Sequence, residues 1–266
     1  MAILTLFSVA GAPGTTTTAL ALALAWPRDV LLVDTDPTAS APILAGYLRG
    51  FTPHDKSVVD LAIAQRHGEL ADTLPAVTLP IPDSRVHLLP GIQTPGQAAA
   101  VDGLWPDLLP ILAGLDAGGT DVIIDAGRLG ASHAPTAAIR AADLSLLVTR
   151  STLPAIIAAR AWLPTIESIV ADQTGFGLAI VGVGHPHTAS EITGVLKTPI
   201  LATLAMDPVT AEVFSLGLDP TRHFNAKHFN NSALVRSVRA AAGSLQQTAK
   251  ARRDRLNASI DETDPR

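Results

Sequence analysis

Cysteine is absent from all 266 residues. That removes disulfides, thiolate metal sites and thiol nucleophiles together, and it fits a reducing compartment such as the cytoplasm. Charge is also sparse, at 16% of residues against 47% hydrophobic, the balance of a globular chain long enough to bury one sizeable core. No apolar run is long enough to cross a bilayer. The run from Ala19 to Trp26 is closed by Pro27 and Arg28, far short of the roughly 20 residues a span requires. The apolar start, Met1 to Val9, has no Lys or Arg before it and has Asp34 and Asp36 soon after, so it reads as a strand rather than a leader. No repeat or low-complexity segment stands out.

What is present alternates. Short β-rich apolar runs occur at Ile3 to Val9, Val30 to Asp34, Val86 to Leu89, Val122 to Asp125, Leu144 to Thr149, Leu178 to Val183 and Ile200 to Leu204. Continuous runs of this kind suit strands buried on both faces. Between them, Thr15 to Trp26, Gln97 to Leu112, Leu153 to Ile169, Ala189 to Leu196, Pro208 to Leu216 and Ser232 to Arg255 read as helices. The order predicts an α/β fold with a doubly wound, mostly parallel sheet of about seven strands and helices on both faces. The chain divides into one domain over residues 1–250 and a basic-then-acidic, frayed tail over 251–266. Thr52 to Pro95, rich in proline and weak in periodicity, is expected to be a surface excursion. Ligands of such a sheet bind at the carboxyl ends of its strands, so the residues just after each run matter most.

The first run is followed by Ser8-Val9-Ala10-Gly11-Ala12-Pro13-Gly14-Thr15-Thr16-Thr17-Thr18 and then a helix. A strand, a glycine turn and a helix start aim backbone N–H groups and a positive dipole end at one spot, which favours an anion. The residues from Gly11 to Thr17 are therefore candidate phosphate ligands, with Thr16 able to reach a metal ion. Any βα turn of a doubly wound fold also favours glycine. The full phosphate-loop pattern needs Lys before Ser/Thr, and Thr15 stands there; the dinucleotide pattern G-x-G-x-x-G is not met either. The second run ends in Asp34-Thr35-Asp36-Pro37. Its two acids, two residues apart on one side of a strand, can hold magnesium through water and orient an attacking water, or Asp36 can simply cap the next helix. Asp125 closes a fourth run in the layout of a second magnesium-site acid.

Taken together these motifs resemble the MinD/ParA family of deviant Walker A ATPases, whose loop K-G-G-x-G-K-S/T-S/T falls on Ala10 to Thr17. The D-x-D-P signature resembles Asp34 to Pro37, and I-I-D-x-x-x-G resembles Ile123 to Gly130. Ala142 to Thr149, Ile192 to Pro199, Ala205-Met206-Asp207 and Val213 to Gly217 follow in the family's order. The resemblance spans about Met1 to Gly243 and implies ATP or ADP with magnesium, metal contacts at Thr16, Asp34 and Asp125, catalytic roles for Asp36 and Asp34, and a nucleotide-sandwich homodimer. Both family lysines are missing, at Ala10 and Thr15, and the adenine-reading asparagine is lost in Val181 to Gly184. Losing one preorganised donor commonly costs about 10²–10³ in rate, so hydrolysis is expected to be weak or absent while binding survives weakly. Arg128 and Arg150, just past strand ends, are candidate substitute cations, although such arginines more often pair with local carboxylates.

Three further features carry less. His185 and His187 invite a metal reading without an evident third ligand. Asn231 is the expected cap of the last helix, and the segment Arg222 to Asn231, with His223 and His228, mixes aromatic and basic residues that can meet a partner. From Arg222 to Arg266 there are 9 basic against 4 acidic residues, a net +5, whereas the preceding chain has 10 against 20, a net −10. Lys250, Arg252, Arg253 and Arg255 can meet DNA or an anionic surface by charge alone, or form a solvated helix face. The expected role is a positioning or scaffolding factor working with a protein partner in a pilus or secretion, division or segregation assembly. An active partitioning ATPase and a non-specific DNA binder are the alternatives.

Overall fold

In the computed structural model the described residues are 3–11, 13–39, 41–170, 175–219 and 226–263. Eight strands form one sheet in the order β3-β4-β2-β5-β1-β6-β7-β8. They are β1 (Ile3–Ser8), β2 (Asp29–Asp34), β3 (Leu79–Pro80), β4 (Val86–Leu89), β5 (Thr120–Arg128), β6 (Leu144–Arg150), β7 (Gly175–Val181) and β8 (Ile200–Leu204). Every pair is parallel except β3 with β4. The seven expected strands are present. The eighth, β3, is two residues long and ends at Pro80, too short to leave a periodic signal.

Neighbouring residues of each strand enter opposite layers, as the pleat requires. Leu4, Leu6, Val30 and Leu32 join one apolar layer with Leu20 and Leu22 of α1 (Thr15–Ala25) and with Leu234, Val238 and Leu245 of the last helix (Ala233–Thr263). Ile3, Leu31 and Val33 join the opposite layer, with Leu61, Leu74 and Leu108. β1 therefore lies in the middle of a sandwich, and the loop that leaves it emerges at the centre of the sheet's carboxyl edge.

The stretch expected to be an excursion is instead a packed helical pair, α2 (Val58–His67) and α3 (Leu70–Val77). Ser57 and Asp60 form a reciprocal capping box and Gly68 ends α2 with φ 75°, so both boundaries have local chemical causes. Val58, Leu61, Leu70, Leu74 and Val77 are buried in the second layer. The helix expected over 97–112 is broken into α4 (Ala98–Val101) and α5 (Trp105–Gly114), with Gly103 in the break and Pro106 in the first turn of the new helix. α6 (Thr136–Ala141) has no counterpart among the expected helices; α7 (Leu153–Ile169), α8 (Ala189–Leu196) and α9 (Pro208–Leu216) do. Ser232, not Asn231, caps the last helix, its hydroxyl accepting from the Val235 amide at 3.3 Å. No single helix among the described residues is long and apolar enough to cross a membrane.

Candidate functional site at the end of the first strand

The loop between β1 and α1 takes its shape from two glycines in the left-handed region, Gly11 at φ 71° and Gly14 at φ 92°. Gly14 occupies the N-cap of α1 and offers no side chain to its amides, and no acid lies in the first turn. The first N–H groups of α1 thus stay available with the positive end of its dipole. Pro13, Thr15, Thr16 and Thr17 sit at the loop and helix start as expected, while Ala12, also expected here, lies outside the described residues. Ala10 is half-buried, a methyl where a lysine was sought.

Thr15 is 7% exposed and its hydroxyl oxygen is buried without a hydrogen-bond partner. The Asp125 Oδ2, on β5, is likewise buried without a partner. Asp125 and Asp34 are directly opposite each other in the β2–β5 register, so two carboxyls share one side of the sheet. Burial pushes the Asp34 carboxyl up to about 8, with the Asp125 charge adding to the rise and the Asp36 amide opposing it. Burial likewise raises Asp125 to about 6 against the Thr16 hydroxyl and the Gly127 amide, which favour its ionised form. Asp36 N–H donates to Asp34 Oδ1 at 3.1 Å, and Asp36 Oδ1 accepts from Thr38 N–H at 2.9 Å; no helix starts at Pro37, so Asp36 closes a local turn instead of capping a helix. Two glycines make room for these acids. A Cβ on Gly91 would stand 2.9 Å from Asp34 Cγ, and one on Gly127 would stand 2.7 Å from Asp36 Cγ; neither role has a signal in the sequence.

A cavity of about 310 Å³ opens on the other side of the loop. Pro13, Gly14 and Thr17 form one wall, Met206 and Asp207 another, and Leu234 of the last helix part of its apolar lining. Arg150, exposed at the end of β6, lines the same cavity, so the fold brings this predicted cation to the loop. Arg128 is exposed at the end of β5, paired in register with Ser8 at the loop's start. The site thus has acids on the β5–β2 side, uncapped amides at the loop, and on the β6–β8 side a mainly apolar cavity whose charged lining is Arg150, Asp207 and Glu212. Among the described residues no three His, Cys, Asp or Glu side chains are placed to hold a metal by themselves. A magnesium ion would take its remaining ligands from phosphate and water around Thr16, Asp34 and Asp125, and the partnerless Asp125 oxygen fits that role.

The other expected features lie elsewhere. His185 and His187 flank a cis peptide to Pro186, and His187 Nδ1 is 4.0 Å from Glu191 rather than in a metal shell. His223 lies outside the described residues. In the basic stretch Lys250 is exposed and Arg252 is half-buried. Arg253 pairs at 3.2 Å with Asp116, which also holds Arg28 at 3.2 Å; the Arg255 side chain is outside the described residues. One pairing the sequence did not suggest is His133 with Asp102, joining the loop after β5 to the α4–α5 break.

No family profile matches the chain. Two uncharacterized proteins from two strains of Mycobacterium tuberculosis are each 29% identical over 258 residues, covering 92% of this chain. The chain spans 64% of the length of these curated relatives. Among solved structures, the septum site-determining protein MinD of Pyrococcus horikoshii, complexed with Mg-ADP, superposes with a TM-score of 0.69 at 18% identity, covering 94% of this chain and 98% of that one. A ParA family ATPase from Chlorobium tepidum gives 0.71 at 16% identity over 91% and 99%. MinD in the MinC:MinD cell division complex of Aquifex aeolicus gives 0.67 at 16% identity over 93% and 96%. Over more than nine-tenths of its length the chain has the fold of the MinD and ParA ATPases.

Proposed function

We propose that this chain is a MinD/ParA-type protein that binds nucleotide weakly and works as a positioning or scaffolding platform, with phosphoryl transfer weakened or lost. The observation that carries the reading is Thr15: in a loop whose glycines, helix start and neighbouring acids are all in place, a buried hydroxyl without a partner stands where the phosphate lysine is required. Phosphoryl transfer rests almost wholly on positioning and on charge stabilisation, and removing preorganised donors strikes at both. Thr16, Asp34 and Asp125 would hold magnesium, and Arg150 would supply the cation nearest the phosphates. Asp36 and Asp34 are the proposed catalytic acids, without the lysine charge they would work with.

The MinD of Aquifex aeolicus is a cell division protein found in complex with MinC. By analogy the present chain is proposed to act in the cytoplasm as a homodimer with a protein partner in a division, segregation or secretion assembly. Titration calorimetry with Mg-ATP followed by a phosphate-release assay tests the reading. Binding without turnover is expected; turnover at about 1 s⁻¹ or faster, within the ordinary enzyme range, would overturn it in favour of an active ATPase clamped by Arg150. The DNA-binding reading is weakened by the Arg253–Asp116 pair, which commits one of its four basic side chains to the protein's own surface.

A further inference from the structure

We propose that the loop site selects nucleoside diphosphates over triphosphates. The inference rests on the nucleotide-binding reading above and concerns which phosphates the site can hold. Phosphate loops divide their work. Backbone N–H groups cradle the α- and β-phosphates, and the lysine reaches the β- and γ-phosphates. The first half of that equipment is present here. Gly11 and Gly14 take left-handed conformations, α1 runs for 11 residues, and its N-terminus is uncapped by any side chain.

The second half is replaced by its opposite. Thr15, more than nine-tenths buried with its hydroxyl unpartnered, occupies the lysine's position. On that side of the loop stand the carboxyls of Asp34, Asp36 and Asp125, from the ends of β2 and β5. The cavity lies on the other side, towards β6 and β8, where Val181, Leu204, Met206 and Leu234 offer an apolar surface to a base and Arg150, Asp207 and Glu212 complete the wall. A nucleotide with its base in that cavity points its terminal phosphate at the acids. A diphosphate ends within the cradle. A triphosphate carries one further negative charge towards Asp36 and Asp125 with no lysine between. At an effective dielectric of about 20, one unit charge about 4 Å from another is worth several kcal/mol before solvent and magnesium reduce it, so a residual preference of about tenfold is expected.

The test titrates the chain with ADP and with ATP at matched ionic strength, once with magnesium and once with a chelator. ADP should bind about tenfold more tightly than ATP with magnesium, and by a larger factor with the chelator. Thr15→Lys, which returns a cation to the β/γ position, should erase or reverse that ratio, and Asp36→Asn, at the half-buried rim, should narrow it if the lysine disturbs the loop. ATP binding as tightly as ADP or more tightly overturns the diphosphate preference and leaves the nucleotide reading standing. Failure of both nucleotides to bind at millimolar concentration, with the chain folded by circular dichroism, removes the nucleotide reading itself.

Discussion

Asp34→Asn should stabilise the metal-free protein, and by an amount that grows with pH. The Asp34 carboxyl is raised from 3.8 to about 8 by burial and by Asp125 across the β2–β5 register. A raised carboxyl binds its proton more tightly in the folded state than in the unfolded one, so wild-type stability falls as pH rises from about 4 to about 8 and is level above that. At about 1.4 kcal/mol for each tenfold difference in proton affinity, the ceiling on the loss is about 6 kcal/mol. The variant keeps the acceptor used by the Asp36 amide but brings an NH₂ group that must find a partner, which costs about 1–3 kcal/mol if it fails. The net gain at pH 8 is then about 3 kcal/mol or more, shrinking to nothing or reversing at pH 5. Urea unfolding of both proteins with chelator present, at pH 5 and pH 8, reads the double difference directly. Equal differences at the two pH values would refute the argument, because a packing effect of the amide would not depend on proton activity. Asp125, raised to about 6, steepens the wild-type fall in the lower part of the same window.

Other perturbations test packing that the sequence did not announce. Gly46→Ala would set a Cβ 2.1 Å from the Ser215 carbonyl oxygen of α9, so it should cost about 1–3 kcal/mol, and an unchanged melting temperature would contradict the close approach. Trp26→Phe removes the indole N–H that donates to the buried Asp121 at 2.8 Å. It should cost about 1–3 kcal/mol in urea unfolding, even though Arg28 still holds the other Asp121 oxygen. Ser57→Ala breaks the α2 capping box and should cost about 1 kcal/mol, with faster amide exchange confined to the first turn of α2.

The sheet is legible in the sequence because its central strands, β1, β2, β5 and β6, are buried on both faces and form nearly unbroken apolar runs, while β4 and β8 are each interrupted by one exposed residue, His87 and Thr203. The loop, its acids and the missing lysines are legible because they follow those runs in fixed order. The region from Thr52 to Pro95 is not, since Pro75 and Pro80 mask a spacing of Leu70, Leu74 and Val77 that is plainly helical. Ser57 and Asp60, three residues apart, are the one local sign of where α2 begins. Arg150 can be placed at a strand end from sequence, but its meeting with Pro13 and Gly14 depends on β6 lying beside β1, which only the strand order reveals. Gly91 and Gly127 are invisible for a different reason, since what they yield room to lies far away in the chain.

The last helix reaches both edges of the sheet. Leu234, near its start, helps line the cavity beside the loop, and Arg253 joins Asp116 just before the start of β5, at the opposite edge. At 1.5 Å per residue the two positions are about 28 Å apart along one continuous rod. One helix therefore touches the cavity near its start and, 19 residues on, the ion pairs that Asp116 makes with Arg28 and Arg253, with Gly243 and Ser244 between them as its most pliable turn.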